Sequence, residues 1–364
     1  MAVLGIGYSG FKPNTRDLSF REMMFEAATR AYNAAGIDPR RDVGSFISCQ
    51  EDYWEGISIA DEFSPGPIGG VLRPTFTIAG DGLMGIIHGI MQILSGFSDV
   101  VVVESHAKPS EIDTINKIVE LSLDPIYIRP INSPNTHFLA ALDLEKYMKI
   151  SGAKREDLSL VVEKNKNAGL KVPRSSYAAK IGREYVESQL ELVGHLTALD
   201  ITPYVDASIV AVLASEESAK RFTKDPIFID GYGWATETAL FERAELGMAK
   251  YVSMAAEMAK VKGLKYDGVF VDDRYSYKEL EHIDALGITD SALKVIREGQ
   301  AYEGGDLPVN TKGGHLSKGI PLEAAGLSLL LDAYECMLEG CERALVAGWR
   351  GFGTFTGYVL RMVS

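Results

Sequence analysis

The sequence predicts a layered α/β protein, and three observations carry that expectation. Strand-like and helix-like segments alternate along the first hundred residues. The strand candidates are unbroken β-branched runs, DVVVV at 99–103 among them, which suit a sheet covered on both faces. Two further stretches, 83–94 and 321–337, are apolar on most helical faces and are expected as buried helices.

In chain order, MAVLGIGYSGF reads as a first strand, since it lacks the charged region, long apolar core and small-residue cleavage site of a signal peptide. Ser19 and Glu22 have capping-box spacing at the start of FREMMFEAATRAYNAAG, and Gly36 with Pro39 supplies the stop. Residues 42–48 give a short strand, 82–96 a helix and 99–103 the next strand. Residues 109–200 are richer in charge and proline, with helical stretches FLAALDLEKYMKISG and REDLSLVVEKNKNAG; they are expected as an insertion capping the core. Strand character returns in DASIVAVLAS (206–215) and PIFIDGYG (226–233), so a second half is expected to begin near residue 226, dividing the chain into 1–225 and 226–364. AYNAAGIDPRRDVGSFIS and AAEMAKVKGLKYDGVFVD share one rhythm of helix, glycine, polar turn, aspartate and strand, which suggests duplication.

With 364 residues, 46% hydrophobic and 24% charged, the chain has the balance of an ordinary globular protein. A net charge of −13 disfavours nucleic acid and anionic membrane surfaces, while a local cluster could still hold an anionic ligand. The most apolar stretch is interrupted by His88, Gln92, Ser95 and Asp99, which argues against a membrane span. Cys49, Cys336 and Cys341 are odd in number, without the spacing of a zinc ribbon or disulfide framework, which points to a reducing cytoplasm. Cys336 and Cys341 are expected as small buried side chains. The six histidines show no metal spacing, and no metal is expected. IAGDGLMG and GWRGFGTFTG match neither the dinucleotide fingerprint nor a phosphate-binding loop, and no serine-centred nucleophile elbow occurs.

Three motifs carry a closer likeness. LSKGIPLEAAGLSLLL (316–331) matches Ser-Lys-Gly-His-Pro-Leu-Gly-Ala-Thr-Gly at Ser317, Lys318, Gly319, Pro321, Leu322, Ala324 and Gly326. Upstream, VNTKGGHLSKG keeps Asn310, Gly313 and Gly314 of an Asn-Pro-Ser-Gly-Gly approach. VFVDDRYSYKEL (269–280) is similar to Val-His-Asp-Cys-Phe-(Ser/Thr) followed by Glu-Leu, and TIAGDGLMGIIHGIMQILSGFSDVVVV to a Cys-Ala-Ser-Gly-Gly loop with its helix and strand. On these residues the chain resembles the thiolase superfamily, of the sterol-carrier, lipid-transfer or archaeal acetyl-CoA acetyltransferase-like kind. The resemblance implies a duplicated five-layer αβαβα thiolase fold.

It also marks what is missing. Ala79 stands at the nucleophilic cysteine, Asp272 at one histidine and Ile320 at another. The family's chemistry needs a thiolate to attack a thioester and histidines to activate it and handle the enolate, so cysteine-dependent thiolase activity is not expected. The resemblance implies a coenzyme A thioester as ligand, with no covalently bound cofactor, and Gly82, Gly313, Gly314, Lys318 and Gly319 as substrate-binding residues. Asp272, Asp273, Tyr275 and His315 are the candidates for catalysis. Each has a plainer reading: a turn or cap for the aspartates, aromatic packing for Tyr275 and a structural role for His315. Two functional readings stay open. One is a structural or acyl-CoA-binding subunit of a complex with an OB-fold and zinc-ribbon partner and with catalytic acyl-CoA enzymes. The other is an enzyme, either a cysteine-independent retro-aldol lyase on hydroxyacyl-CoA or an acyltransferase with another nucleophile. The family likeness further implies a homodimer, expected through the strand at 99–104.

Overall fold

The computed structural model describes residues 1–51, 62–120, 123, 135–238 and 244–364. Within them, nine strands form one mixed sheet. Five come from the first part of the chain: β1 (Ala2–Lys12), β2 (Ser45–Cys49), β3 (Thr75–Ile78), β4 (Val100–Ala107) and, beyond a small hairpin of β5 (Glu191–Val193) and β6 (Leu196–Thr197), β7 (Asp206–Ala214). Four follow: β8 (Ile227–Thr236), β9 (Gly268–Val271), β10 (Arg343–Trp349) and β11 (Thr356–Val363). The order is β3-β2-β4-β7-β1-β8-β11-β10-β9.

That order contains a repeat. From β1 outward the strands run first, fifth, fourth, second and third of their set; from β8 outward they run the same way, with a parallel bridge from Val269 to Val309 standing in for the third. The parallel and antiparallel pairings repeat too, so the two sequence echoes fall on equivalent helix–strand units. Each half thus contributes its own set of strands, and β1 and β8 join the two sets, through the register pairs Ala2↔Phe228 and Val3↔Ile227.

The principal helices are α1 (Phe20–Ala35), α2 (Gly82–Leu94), α3 (Thr136–Ser151), α4 (Arg155–Ala168), α5 (Lys250–Ala259), α6 (Ser276–Leu286), α7 (Gly314–Lys318) and α8 (Ala325–Leu338). Helix α1 begins with the expected capping box and ends at Gly36 in the left-handed region, φ 66°. It lies on β1, and α5 lies on β8, and both approaches need glycine: a Cβ on Gly7 would meet the Ala27 carbonyl oxygen at 2.3 Å, and one on Gly233 that of Ala255 at 2.1 Å. Helices α2 and α8 pack on each other and on the opposite face of the sheet, and one apolar cluster takes in both with residues of β1, β4, β7, β10 and β11. They are the two buried helices anticipated, except that Met91 and Leu94 at the end of α2 are exposed. No helix among the described residues is long and apolar enough to cross a membrane.

Two expectations fail here. β4 is paired on both sides, to β2 and β7, so the strand near 99–104 is interior to the sheet; among the described residues the sheet ends on that side at β3, beyond β2. Cys336 and Cys341 are joined as a disulfide. The turn after α8 folds back and brings their Cα atoms to 5.4 Å, which a straight-helix reading of the spacing does not foresee.

Candidate active site

A cavity of about 640 Å³ opens beyond the carboxyl ends of the parallel strands. Glu51 follows β2, Arg274 and Tyr275 follow β9 and Arg350 follows β10, and all four line it. Asp81 enters from the start of α2, and Ile320, Leu322 and Glu323 from the turn before α8. Residues of the 109–200 stretch complete the wall, including Thr136 and His137 at the start of α3. Tyr204, Phe352, Ile201 and Pro203 make much of it apolar.

Its cations are already engaged. Arg274 makes a two-pronged ion pair with Asp272, Nε to Oδ1 at 3.0 Å and Nη2 to Oδ2 at 2.7 Å, donates to the Trp349 and Arg350 carbonyls, and lies over the Trp349 ring at 4.9 Å. Arg350 pairs with Glu51. Two other groups remain available to a ligand. The Tyr275 hydroxyl is 3.0 Å from His137 Nδ1; burial pushes the phenol up and the imidazole down, so both are held neutral. Asp81 is 2% exposed, and its carboxylate accepts from the Leu83 and Gly326 backbone N–H groups at 2.8 and 2.9 Å. Burial pushes its carboxyl up to about 6 against the pull of those two donors.

Of the candidate catalytic, substrate-binding and substituted thiolase positions, Tyr275 and Ile320 reach the cavity wall. Burial alone would raise the Asp272 carboxyl, but the Arg274 guanidinium and His315 outweigh it and hold it well below the usual carboxylate range. An aspartate so paired is a poor base, contrary to the raised carboxyl expected of a catalytic residue there. Asp273 accepts from the His315 and Leu316 N–H groups and from Asn165, fastening the start of α7; burial raises it to about 6. His315 is fully buried behind the wall, with Nε2 3.1 Å from the Ala325 carbonyl oxygen and Nδ1 3.8 and 3.7 Å from Asp272 and Asp273.

The residues expected to bind substrate are packed into the fold and are not among the residues that line the cavity. Lys318 is buried in an ion cluster with Asp332, which Arg174 joins at 2.6 Å. Cβ atoms on Gly82, Gly313, Gly314 and Gly319 would collide with Leu327, Ser317, Asp273 and Val205 respectively, and φ is positive at the last three. Ala79 is exposed and lies outside the wall; the side chain that the α2 start presents to the cavity is Asp81, two residues on. A lone acid in an otherwise glycine-rich, apolar segment just before a buried helix was the available signal. Arg274, Arg350 and His137 carried none, since only the folded chain brings their loops together. Cys49 is sealed under α2, a Cβ on Gly85 falling 2.3 Å from its sulfur, and burial raises its thiol well above the usual range.

Residues 237–355 match the family model described as thiolase C-terminal domain-like. Along nearly its full length the chain is similar to the acetyl-CoA acetyltransferase of Methanothermobacter thermautotrophicus, at 25% identity over 97% of both chains. It is also similar to the 17-hydroxy-3-oxo-4-pregnene-20-carboxyl-CoA lyase of Mycobacterium tuberculosis, at 23% identity over 99% of this chain and 98% of that one. Among solved structures, an Ltp2-ChsH2(DUF35) aldolase superposes with a TM-score of 0.83 at 20% identity, covering 99% of this chain and 97% of that one. Human mitochondrial 3-ketoacyl-CoA thiolase superposes with a TM-score of 0.74 at 17% identity, over 100% and 98%. The chain is thus thiolase-like, with the thiolase fold along its length and a thiolase C-terminal domain-like region over residues 237–355.

Proposed function

We propose that the chain acts on coenzyme A thioesters as a cysteine-independent carbon–carbon lyase of the retro-aldol type. The observation that carries this reading is the cavity wall. It presents a buried carboxyl and a neutral phenol–imidazole pair, the equipment of acid–base chemistry, and no cysteine stands among its described residues. The likeness to a CoA lyase and to an aldolase solved with a DUF35 component supports both the reaction class and a small partner of the OB-fold and zinc-ribbon kind. In this reading residues 109–200 cap the site and the halves divide near residue 225.

The second reading is a non-catalytic acyl-CoA-binding subunit, and it is favoured by the fate of the thiolase positions: Ile320 is apolar and Asp272 is consumed by Arg274. The experiment is to purify the chain with whatever copurifies and to follow release of a carbonyl product and a shortened acyl-CoA from hydroxyacyl-CoA esters. Turnover without an acyl adduct on any cysteine in intact-mass spectra is expected. Tight ester binding without turnover would leave the subunit reading standing.

The homodimer is proposed through β3 rather than the interior strand. β3 ends the sheet with Phe76 40% exposed, its ring edge-on to the exposed Phe97 at 5.9 Å, and Leu94 exposed nearby at the end of α2. A strand edge that is unpaired among the described residues and carries apolar side chains suits sheet extension by a second copy.

A further inference from the structure

Asp81 lines the cavity from the start of α2. It is the cap of α2, yet its second oxygen reaches the N–H of Gly326 at the start of α8, so one carboxylate sits between the positive ends of the two central helices. The fit is close: a Cβ on Gly326 would fall 2.0 Å from Asp81 Oδ1. Each oxygen takes one backbone donor, which fixes the carboxylate's orientation and leaves further lone pairs to accept from a ligand. Asp272 and Glu51 are tied to arginines, while Asp81 has no ion pair among the described residues.

We propose that Asp81 is the catalytic base of this chain and takes the proton of a β-hydroxyl on a hydroxyacyl thioester. The proposal rests on the lyase reading above. The hydroxyl proton passes to the Asp81 carboxylate. The Cα–Cβ bond breaks, its electron pair moving to Cα and into the thioester carbonyl as an enolate, while the carbinol carbon becomes a ketone or aldehyde. The proton held on Asp81 then returns to Cα, so that the two products together contain every atom of the substrate and no oxidant or reductant is needed. Tyr275, receiving a hydrogen bond from His137 when Nδ1 carries the proton, can donate its hydroxyl to the enolate oxygen. A carboxyl raised to about 6 by burial is suited to accept and return a proton near neutrality.

The test uses the copurified complex with 3-hydroxy-3-methylbutyryl-CoA and, as the control lacking the hydroxyl, 3-methylbutyryl-CoA. Wild type is expected to bind the hydroxylated ester more tightly and to release acetone and acetyl-CoA. Asp81→Asn should lower that rate by about 10²- to 10⁴-fold, and Asp81→Ala should abolish the preference for the hydroxyl. Both variants should bind the control ester as wild type does, which shows that the fold has survived. Equal rates in wild type and Asp81→Asn would overturn the role of Asp81 and leave the lyase reading intact. If wild type binds both esters but cleaves neither, the lyase reading fails and the base with it, whether or not the hydroxyl preference depends on Asp81.

Discussion

Asp81 and Asp272 are buried carboxylates flanking one cavity, and their surroundings push them in opposite directions. Burial raises Asp81, because two backbone dipoles only partly offset it; Asp272 is equally buried, but the Arg274 guanidinium charge and His315 outweigh that burial and lower it. Motif comparison could rank Asp272 as a base because it occupies a histidine position, but it could not see Arg274 turning back onto it across two residues of a strand end. The structural consequence is measurable. Asp272→Asn leaves the part-buried Arg274 without its counter-charge, and a loss of about 2–3 kcal/mol is expected, below the roughly 3–5 kcal/mol of a fully buried pair because the cavity side of Arg274 is open to solvent. Urea unfolding should show that loss, and Asp272→Asn combined with Arg274→Met should recover much of it. A single-variant loss below about 1 kcal/mol would mean that the carbonyls of Trp349 and Arg350 satisfy the guanidinium unaided. What was legible at this scale was which loops form the site. Which side chains of those loops face the cavity was not, since a shift of one or two residues on a loop decides it.

Elements were read more securely than side chains, and for physical reasons. Helix α1 carries its own start and stop in Ser19, Glu22 and Gly36, and α2 and α8 betray burial by being apolar on most faces. β4 was read two or more residues short because Glu104, Ser105 and His106 interrupt the apolar run, yet all three are fully buried; Glu104 is met by Ser48 and Ser208 hydroxyls and by His106. The disulfide escaped notice because it depends on the fold-back after α8. Gly82 was placed in substrate binding, whereas the contact it permits is between elements: a Cβ there would lie 2.4 Å from Leu327 Cγ, forcing α2 away from α8. Gly82→Ala should therefore cost about 1–3 kcal/mol through overpacking, read from the urea midpoint at constant slope. An unchanged midpoint would show that the two helices have slack at their starts.

For the whole molecule, the fold was legible, whereas family likeness suggested a dimer without the sheet order that shows which strand ends the sheet among the described residues. The proposed pairing at β3 gives a direct prediction. Sedimentation should show a dimer for wild type and a monomer for Phe76→Lys, with the far-ultraviolet circular dichroism unchanged; a dimer that survives the substitution places the interface elsewhere. The seam between β1 and β8 has a consequence of another kind. Two register pairs are all that the strands contribute there, whereas the inner face on either side is sealed by α2 and α8, which touch each other and share one apolar cluster. Solvent exclusion, more than backbone pairing, fuses the two repeats. Opening either one strips cover from the other, so the molecule is expected to melt in one calorimetric transition although its topology is that of two units.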